Sequence, residues 1–544
     1  MDDAPYAPNP SSSVPTRRGF LRAAGLTAAG GLTLGLGPVA AGRAAAARAA
    51  TFDYTSRQTF DEFDAAYLQS GFGPDNNNEA GGLAWQQSYV LDSYVKMYLA
   101  HGDTYYLDKL IDHVDTVLTH RDSERGVADY RGLSLPAWRT MHPYTLGVCA
   151  LKDQNGTTTL EIRSGRNNTD DAHVTVTHGD GDTFSLVVRH ETFDFTDTFD
   201  NLTMDPASPD YAVRRIYDAY PGSILCTAFD QNVGTRPAAG TTSMFAQPFI
   251  FGVHTGMITY PMASFARIVN TTPSLAASPY YQGKADEYLD AAMNAVAVHD
   301  HEWRETSNGG YYSWEKGAYT AFDGQAKPLN QTLALGRTVL EIAAATGDPT
   351  YVHRATALAT MFRNDMLDHD ADGTPTLIWY YFPTYSAAWE GYTKTGSPET
   401  DVSIHKPQYA TANGYKNFED YSHGAIGADF AVLAARLGFG FTQRDMQQLA
   451  ATFTENVATT DADGLANVVY VINGTGATRS SPLGAARWMA LSGWDRDVFH
   501  HCLAIYTDRD IEPTPVSGTR LFGVAQLNWG AHARGARRRI RRVT

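Results

Sequence analysis

Ala100-His101-Gly102-Asp103-Thr104-Tyr105-Tyr106-Leu107 and Ala345-Thr346-Gly347-Asp348-Pro349-Thr350-Tyr351-Val352 are two copies of one junction, 245 residues apart in the chain. Before the first, Leu91, Tyr94, Val95, Tyr98 and Leu99 recur at helical spacing; after it, Leu107, Leu110, Ile111, Val114, Val117 and Leu118 resume the same period. Glycine adopts the left-handed conformation that ends a helix, and the following Asp caps the next one, so the junction reads as the bend of a helix hairpin. Looser copies are Leu437-Gly438-Phe439-Gly440-Phe441-Thr442 and Ser492-Gly493-Trp494-Asp495.

Repeated hairpins predict a solenoid or a closed ring, and the long irregular stretches between them favour the ring. Helices are expected over about 84–100, 104–119, 255–271, 283–302, 329–345, 349–366, 423–437, 443–457, 482–491 and 495–506, with a further short one near 58–68. The fold class is therefore mainly α, an (α/α)5 or (α/α)6 toroid. Residues 145–215 differ: 157–162, 173–178 and 183–188 alternate with period two around a Gly-Asp-Gly-Asp turn, which predicts a small inserted antiparallel sheet. The expected layout is a leader over 1–50, toroid over 51–144 and 216–533, insertion over 145–215, and a basic tail over 534–544.

The leader is read from Arg17-Arg18-Gly19-Phe20-Leu21, an uncharged Ala/Gly/Leu stretch over 23–41, and small-residue sites near 45–50. That order is the twin-arginine export signal, so the export machinery is an expected partner and the mature chain is expected outside the cell. The stretch is Gly-interrupted and weakly apolar, so no stable membrane anchor is expected. The whole chain carries a net charge of −16. Loss of the leader makes it more acidic, which argues against a nucleic-acid partner despite six arginines in the last eleven residues. Three scattered cysteines support neither a disulfide framework nor a CxxC metal site.

The helix beginning Trp85-Gln86-Gln87-Ser88-Tyr89-Val90-Leu91, with the Gly102 junction after it, resembles the hairpins of six-hairpin carbohydrate-active enzymes, a group of glycosidases, polysaccharide lyases and sugar epimerases. Asn308-Gly309-Gly310-Tyr311, followed by a helix from Asn330, is similar to the toroid of glucuronyl C5-epimerases. The resemblance implies a polysaccharide or oligosaccharide substrate and a site at the loop-bearing mouth of the ring. It carries the enzymatic expectation by analogy of fold.

The densest candidate at such a mouth is Asn417-Phe418-Glu419-Asp420-Tyr421-Ser422-His423, directly before an apolar helix. A Tyr–His pair suits proton abstraction beside a uronate, so Tyr421 and His423 are the expected acid/base residues of a lyase that cleaves by β-elimination. The competing reading is a helix cap with a locally packed histidine. His254 and Tyr260 on another inner helix are expected to assist, with Arg267 further along; a satisfied core histidine competes there too. Asn77 and Asn78 could bind sugar hydroxyls or simply shape a loop. Trp85, Trp314, Trp379, Tyr380 and Tyr381 suit sugar subsites. Glu315, with Glu419 or Asp420 as counterpart, keeps an inverting glycoside hydrolase open, and a C5-epimerase or a glycan-binding protein remain further alternatives. Asp368-His369-Asp370-Ala371-Asp372-Gly373 begins like a calcium loop but lacks the closing Glu, so no cofactor is expected beyond a weak case for calcium.

Overall fold

The structure, a computed structural model, describes residues 51–532 except 168, 193, 220–225, 392–396 and 406–412. The expected leader and the arginine-rich tail lie outside the described residues. None of the described helices is long and apolar enough to cross a membrane.

Six inner segments form a closed ring: Ser88–His101, Gly252–Thr271, Leu329–Thr346, Tyr421–Leu437, the 3-10 run Leu483–Gly493, and Gly518–His532, which returns to the first. Their outer partners are Tyr105–Thr119, Pro279–Ala297, Pro349–Asp365, Gln443–Ala451, Asp497–Asp508 and, for the last inner helix, the first helix of the ring, Arg57–Gln69. The architecture is an (α/α)6 toroid. Gly102, Gly347 and Gly438 end inner helices with φ of 70°, 66° and 89°, as the hairpin reading requires. Asp348 and Thr442 cap the outer helices that follow. The inner helices are buried on nearly every side and pack closely; a Cβ on Gly256 would lie 2.4 Å from the backbone nitrogen of Leu335.

Two expectations need correction. Gly518–His532 was not expected at all, although it supplies the sixth inner helix. The insertion also runs past residue 215, to Ala246, because Cys226–Asp230 pairs with Thr158–Asn167, and Gly240–Ser243 pairs with Ala172–His178. It comprises two four-stranded antiparallel sheets rather than one, sharing a core of their own around Leu160, Ile162, Val174, Leu186 and Val188. Arg163, on the second strand, joins it to the ring by stacking 4.2 Å from the Tyr319 ring.

Connections from inner to outer helices are short, whereas those leading into inner helices are long, so the long loops gather where the inner helices begin. That end is the mouth. Ring closure is polar: Asn528, fully buried, donates to the carbonyls of Tyr54 and Ser56 at 3.1 and 3.2 Å, and its oxygen meets His101 at 2.9 Å. Asn528→Ala leaves those buried groups without partners, and we expect it to destabilise the fold by about 3 kcal/mol, read as a lowered denaturant midpoint.

Candidate functional site

The stretch 417–421 is pinned across the mouth as a central strand. Tyr381 donates to Asn417 and Glu419 donates to Trp379 on one side; Ile472 donates to Glu419 and Tyr421 donates to Tyr470 on the other, all backbone bonds of 2.8–3.1 Å. Alternation along an extended chain then decides which side chains face out. Glu419 and Tyr421 turn inward and are buried, while Asp420 lines a cavity of about 250 Å³ with Tyr381, Tyr415, Phe418 and Tyr470.

Asp420 is also the N-cap of the inner helix Tyr421–Leu437. Its Oδ1 accepts from the backbone N–H of Ser422 and His423 at 2.8 and 3.0 Å, and its Oδ2 meets Nδ1 of His423 at 2.5 Å. Glu419 accepts from Nδ2 of Asn330 at 3.0 Å and from the backbone N–H of Asp420 at 3.2 Å. One ligating atom from each of Glu419, Asp420 and His423 falls within 4.8 Å of the others, which among the described residues is the one such His/Asp/Glu group. Both Asp420 oxygens and Nδ1 of His423 are already hydrogen-bonded, so a cation could bind only by displacing those bonds.

Protonation separates the two carboxyls. Burial pushes Glu419 well above the usual carboxylate range; the His423 charge opposes it, and the smaller effect of the Asp420 charge adds to it. Burial pushes Asp420 the same way, but the His423 charge and the helix-terminal N–H groups overcome it and hold Asp420 below its ordinary value. Burial would lower His423; its ion pair with Asp420 lifts it instead to about 9. These shifts favour a protonated Glu419, an ionised Asp420 and an imidazolium at neutral pH.

The other expected residues are dispersed. Tyr421 points into the wall and its hydroxyl donates to the Ser481 carbonyl at 3.2 Å, so it does not face the cavity as an acid/base residue would. His423 is present at the cluster, but as a cation rather than a free base. His254 is buried between Asn78 at 3.1 Å and the Trp85 indole N–H at 3.0 Å, and burial pushes it down to about 3: a neutral core histidine. Asn78 and Trp85 thereby serve the ring wall, while Asn77 is exposed and accepts from the backbone N–H of Glu79. Tyr260 lies inside the ring, 4.4 Å from the Arg337 guanidinium, and Arg267 pairs with Glu341 on the neighbouring inner helix. Trp314 and Trp379 are core residues, Trp314 stacked on Phe322 and Trp379 edge-on to Phe362. Tyr380 stacks on Phe418 at 4.4 Å, behind the cavity. Glu315 lines a separate depression with Tyr130, Phe249 and His301, so it does not share a cavity with Asp420. Asp368–Gly373 is a hairpin turn in which Asp370 accepts from Gly373 N–H; no His/Asp/Glu group gathers there among the described residues.

Sequence reasoning missed Tyr415, Tyr470 and Asn330 as members of the site. Tyr415 and Tyr470 come from two different connections and Asn330 from the inner helix Leu329–Thr346, and the signal that could have found Asn330 was its position at the start of that helix.

No protein-family model matches the chain, and no curated protein matches it. Among solved structures, an inactive, doubly substituted variant of the family 76 alpha-1,6-mannanase of a Salegentibacter species, in complex with alpha-1,6-mannotetrose, has a TM-score of 0.41 at 9% identity, covering 88% of this chain and 98% of its own. A family 76 glycoside hydrolase from a bovine Bacteroides thetaiotaomicron strain has a TM-score of 0.28 at 10% identity, covering 70% of this chain and 98% of its own.

The raised pKa values have a measurable consequence for stability. A group whose pKa is raised on folding holds its proton more tightly in the native state, so its contribution falls as pH rises from the unfolded to the folded value. For Glu419 that fall starts near 4.5, and for His423 it runs from 6.5 to about 9. Asp420 acts in the opposite sense, losing its contribution only as pH drops below 3.8. These two groups should therefore pull the unfolding free energy down between about pH 4.5 and pH 9, and Glu419→Gln and His423→Gln should each make its slope with pH less negative than that of the wild type in urea titrations across that range.

Proposed function

We propose that this protein is a glycoside hydrolase in which Glu419 and Asp420 are the catalytic carboxyls. The observation that carries the reading is the opposite protonation of these two neighbours, of which Asp420 lines the cavity and Glu419 lies buried beside it. Glycoside hydrolysis needs a carboxylic acid to protonate the leaving oxygen and a carboxylate to meet the positive charge that develops on the sugar, and unlike environments are what separate the two roles. Glu419 is the proton-holding member and Asp420 the ionised one. Glu419 is fully buried, directly behind Asp420 in the chain.

Aromatic faces and hydroxyls from Tyr381, Tyr415 and Tyr470 suit the apolar faces and polar edges of a pyranoside. Glu419 and Asp420 approach within 4.8 Å, short of the gap of about 6.5–9.5 Å that holds a water in inverting enzymes. β-Elimination is the weaker reading here, because its base would be an imidazole that carries a proton up to about pH 9 and its tyrosine would be one that faces the wall.

Purified mature protein should release reducing ends from a polysaccharide with no new ultraviolet absorbance. Asp420→Asn and Glu419→Gln should each lower kcat by more than about a hundredfold, the usual scale for a general acid or base. Absorbance from a C4–C5 double bond would instead establish elimination. We further propose export through the twin-arginine route, resting on Arg17 and Arg18. Replacing both by Lys should leave the protein inside the cell, as fractionation would show.

A further inference from the structure

The axis of the ring holds a second, smaller chamber. Asp92, Tyr260, Arg337, Asp429, Arg487 and Gln526 line it, one from each inner segment and all within about three turns of the mouth. Its volume is about 20 Å³, room for one or two groups the size of a water. It shares no lining residue with the Asp420 cavity, yet a single turn of chain joins the two. Arg487 donates to the Ser422 hydroxyl at 3.1 Å, and the Ser422 backbone N–H donates to Asp420 at 2.8 Å. The chamber's polar groups are incompletely matched. Arg337 donates to Asp429 at 3.0 Å, meets the Met257 sulfur at 2.9 Å and lies over the Tyr260 ring. Its Nε is buried with no acceptor among the described residues, and so is the Nε of Arg487. On the other side, Oε1 of Gln526 has no donor among the described residues, and Oδ1 of Asp92 has only the Lys96 ammonium at 3.5 Å. Asp92, Arg337 and Gln526 are 5%, 6% and 3% exposed, so bulk solvent does not stand in for the missing partners.

Buried polar atoms are normally paired, so open donors and open acceptors around one small chamber point to a ligand. Size and charge select it. An anion would face Asp92 and Asp429, and a cation would face Arg337 and Arg487. A zwitterion is too large for the space. A hydroxyl is neutral, donates and accepts at once, and fits. We propose that the chamber is a subsite for one hydroxyl or hydroxymethyl group of a glycan held at the mouth. Gln526 or Asp92 accepts from its O–H, and the Nε of Arg337 or Arg487 donates to its oxygen. The sugar unit on the ring axis is therefore uncharged at the position that enters the chamber. Because Arg487 also holds Ser422, a group seated there is placed one turn from Asp420.

The inference rests on the hydrolase reading for its glycan, and a binding experiment separates the two. Crystals of the Asp420→Asn protein would be soaked with the methyl glycosides of glucose, galactose and mannose. Calorimetric titration would compare each glycoside with its monodeoxy counterparts. At least one hexoside should place an oxygen within hydrogen-bond distance of Gln526 or Asp92 and of Arg337 or Arg487. Loss of that one hydroxyl should weaken binding about tenfold, the scale of one hydrogen bond. Gln526→Met should reduce the preference for the hydroxyl, whereas Gln526→Glu, which keeps an acceptor, should retain it. The soak and the deoxy comparison leave the chamber unaltered, so they decide the matter even where Gln526→Met fails to fold. Hexosides bound with only water in the chamber, no hexoside bound at all, or every hydroxyl dispensable would overturn the proposal while leaving hydrolysis intact. A sugar hydroxyl seated in the chamber of a protein whose wild type releases no reducing ends would do the reverse.

Discussion

Asp420 sits where three demands meet. It caps an inner helix, it closes an ion pair with His423, and it lines the mouth cavity. The same carboxylate oxygens serve the first two tasks, so the helix terminus and the imidazolium together keep Asp420 ionised although it is nearly buried. That fixed negative charge is part of what drives its neighbour Glu419 to hold a proton. A cap of this kind is normally worth about 1 kcal/mol of helix stability. Here it also sets the charge pattern of the site.

The ring explains why such a cluster can exist. Its inner helices all begin at one end, so long connections collect there and can bring distant segments together. The strand-like 417–421 is held between 379–381, from the connection leading into its own inner helix, and 470–472, from the connection leading into the next inner segment, Leu483–Gly493. Backbone pairing on both sides leaves the chain no freedom to rotate Glu419 outward without breaking the bond from Ile472 or to Trp379. Burial of Glu419, and with it the proton, follows from that pairing rather than from any property of the side chain alone.

Much of the ring was legible in the chain because Gly-Asp junctions punctuate helices whose outer faces alternate clearly with solvent. Gly518–His532 escaped because it is an inner helix buried on almost every side; GTRLFGVAQLNWGAH mixes glycine, apolar and polar residues, and its Gln526 and Asn528 point into protein rather than water. Periodicity weakens where no face meets solvent. The insertion boundary slipped for a different reason: its later strands return after a helix and are short, so nothing local ties Gly240–Ser243 to Ala172–His178. At the site, the sequence pointed to the seven-residue stretch that the fold holds across the mouth, with Glu419 and His423 in it. It could not show that alternation aims Tyr421 at the wall, nor that His254 is enclosed by Asn78 and Trp85, because both depend on contacts with remote segments.

The account stands on a protonated Glu419 beside an ionised Asp420 at neutral pH. Infrared difference spectroscopy between the wild-type protein and Glu419→Gln, recorded at pH 7, reads that state directly. A protonated-carboxyl stretch present in the wild type and missing in the variant is the result we expect. A difference spectrum showing only the loss of an ionised carboxylate would contradict it, and with it the division of acid and carboxylate between the two residues.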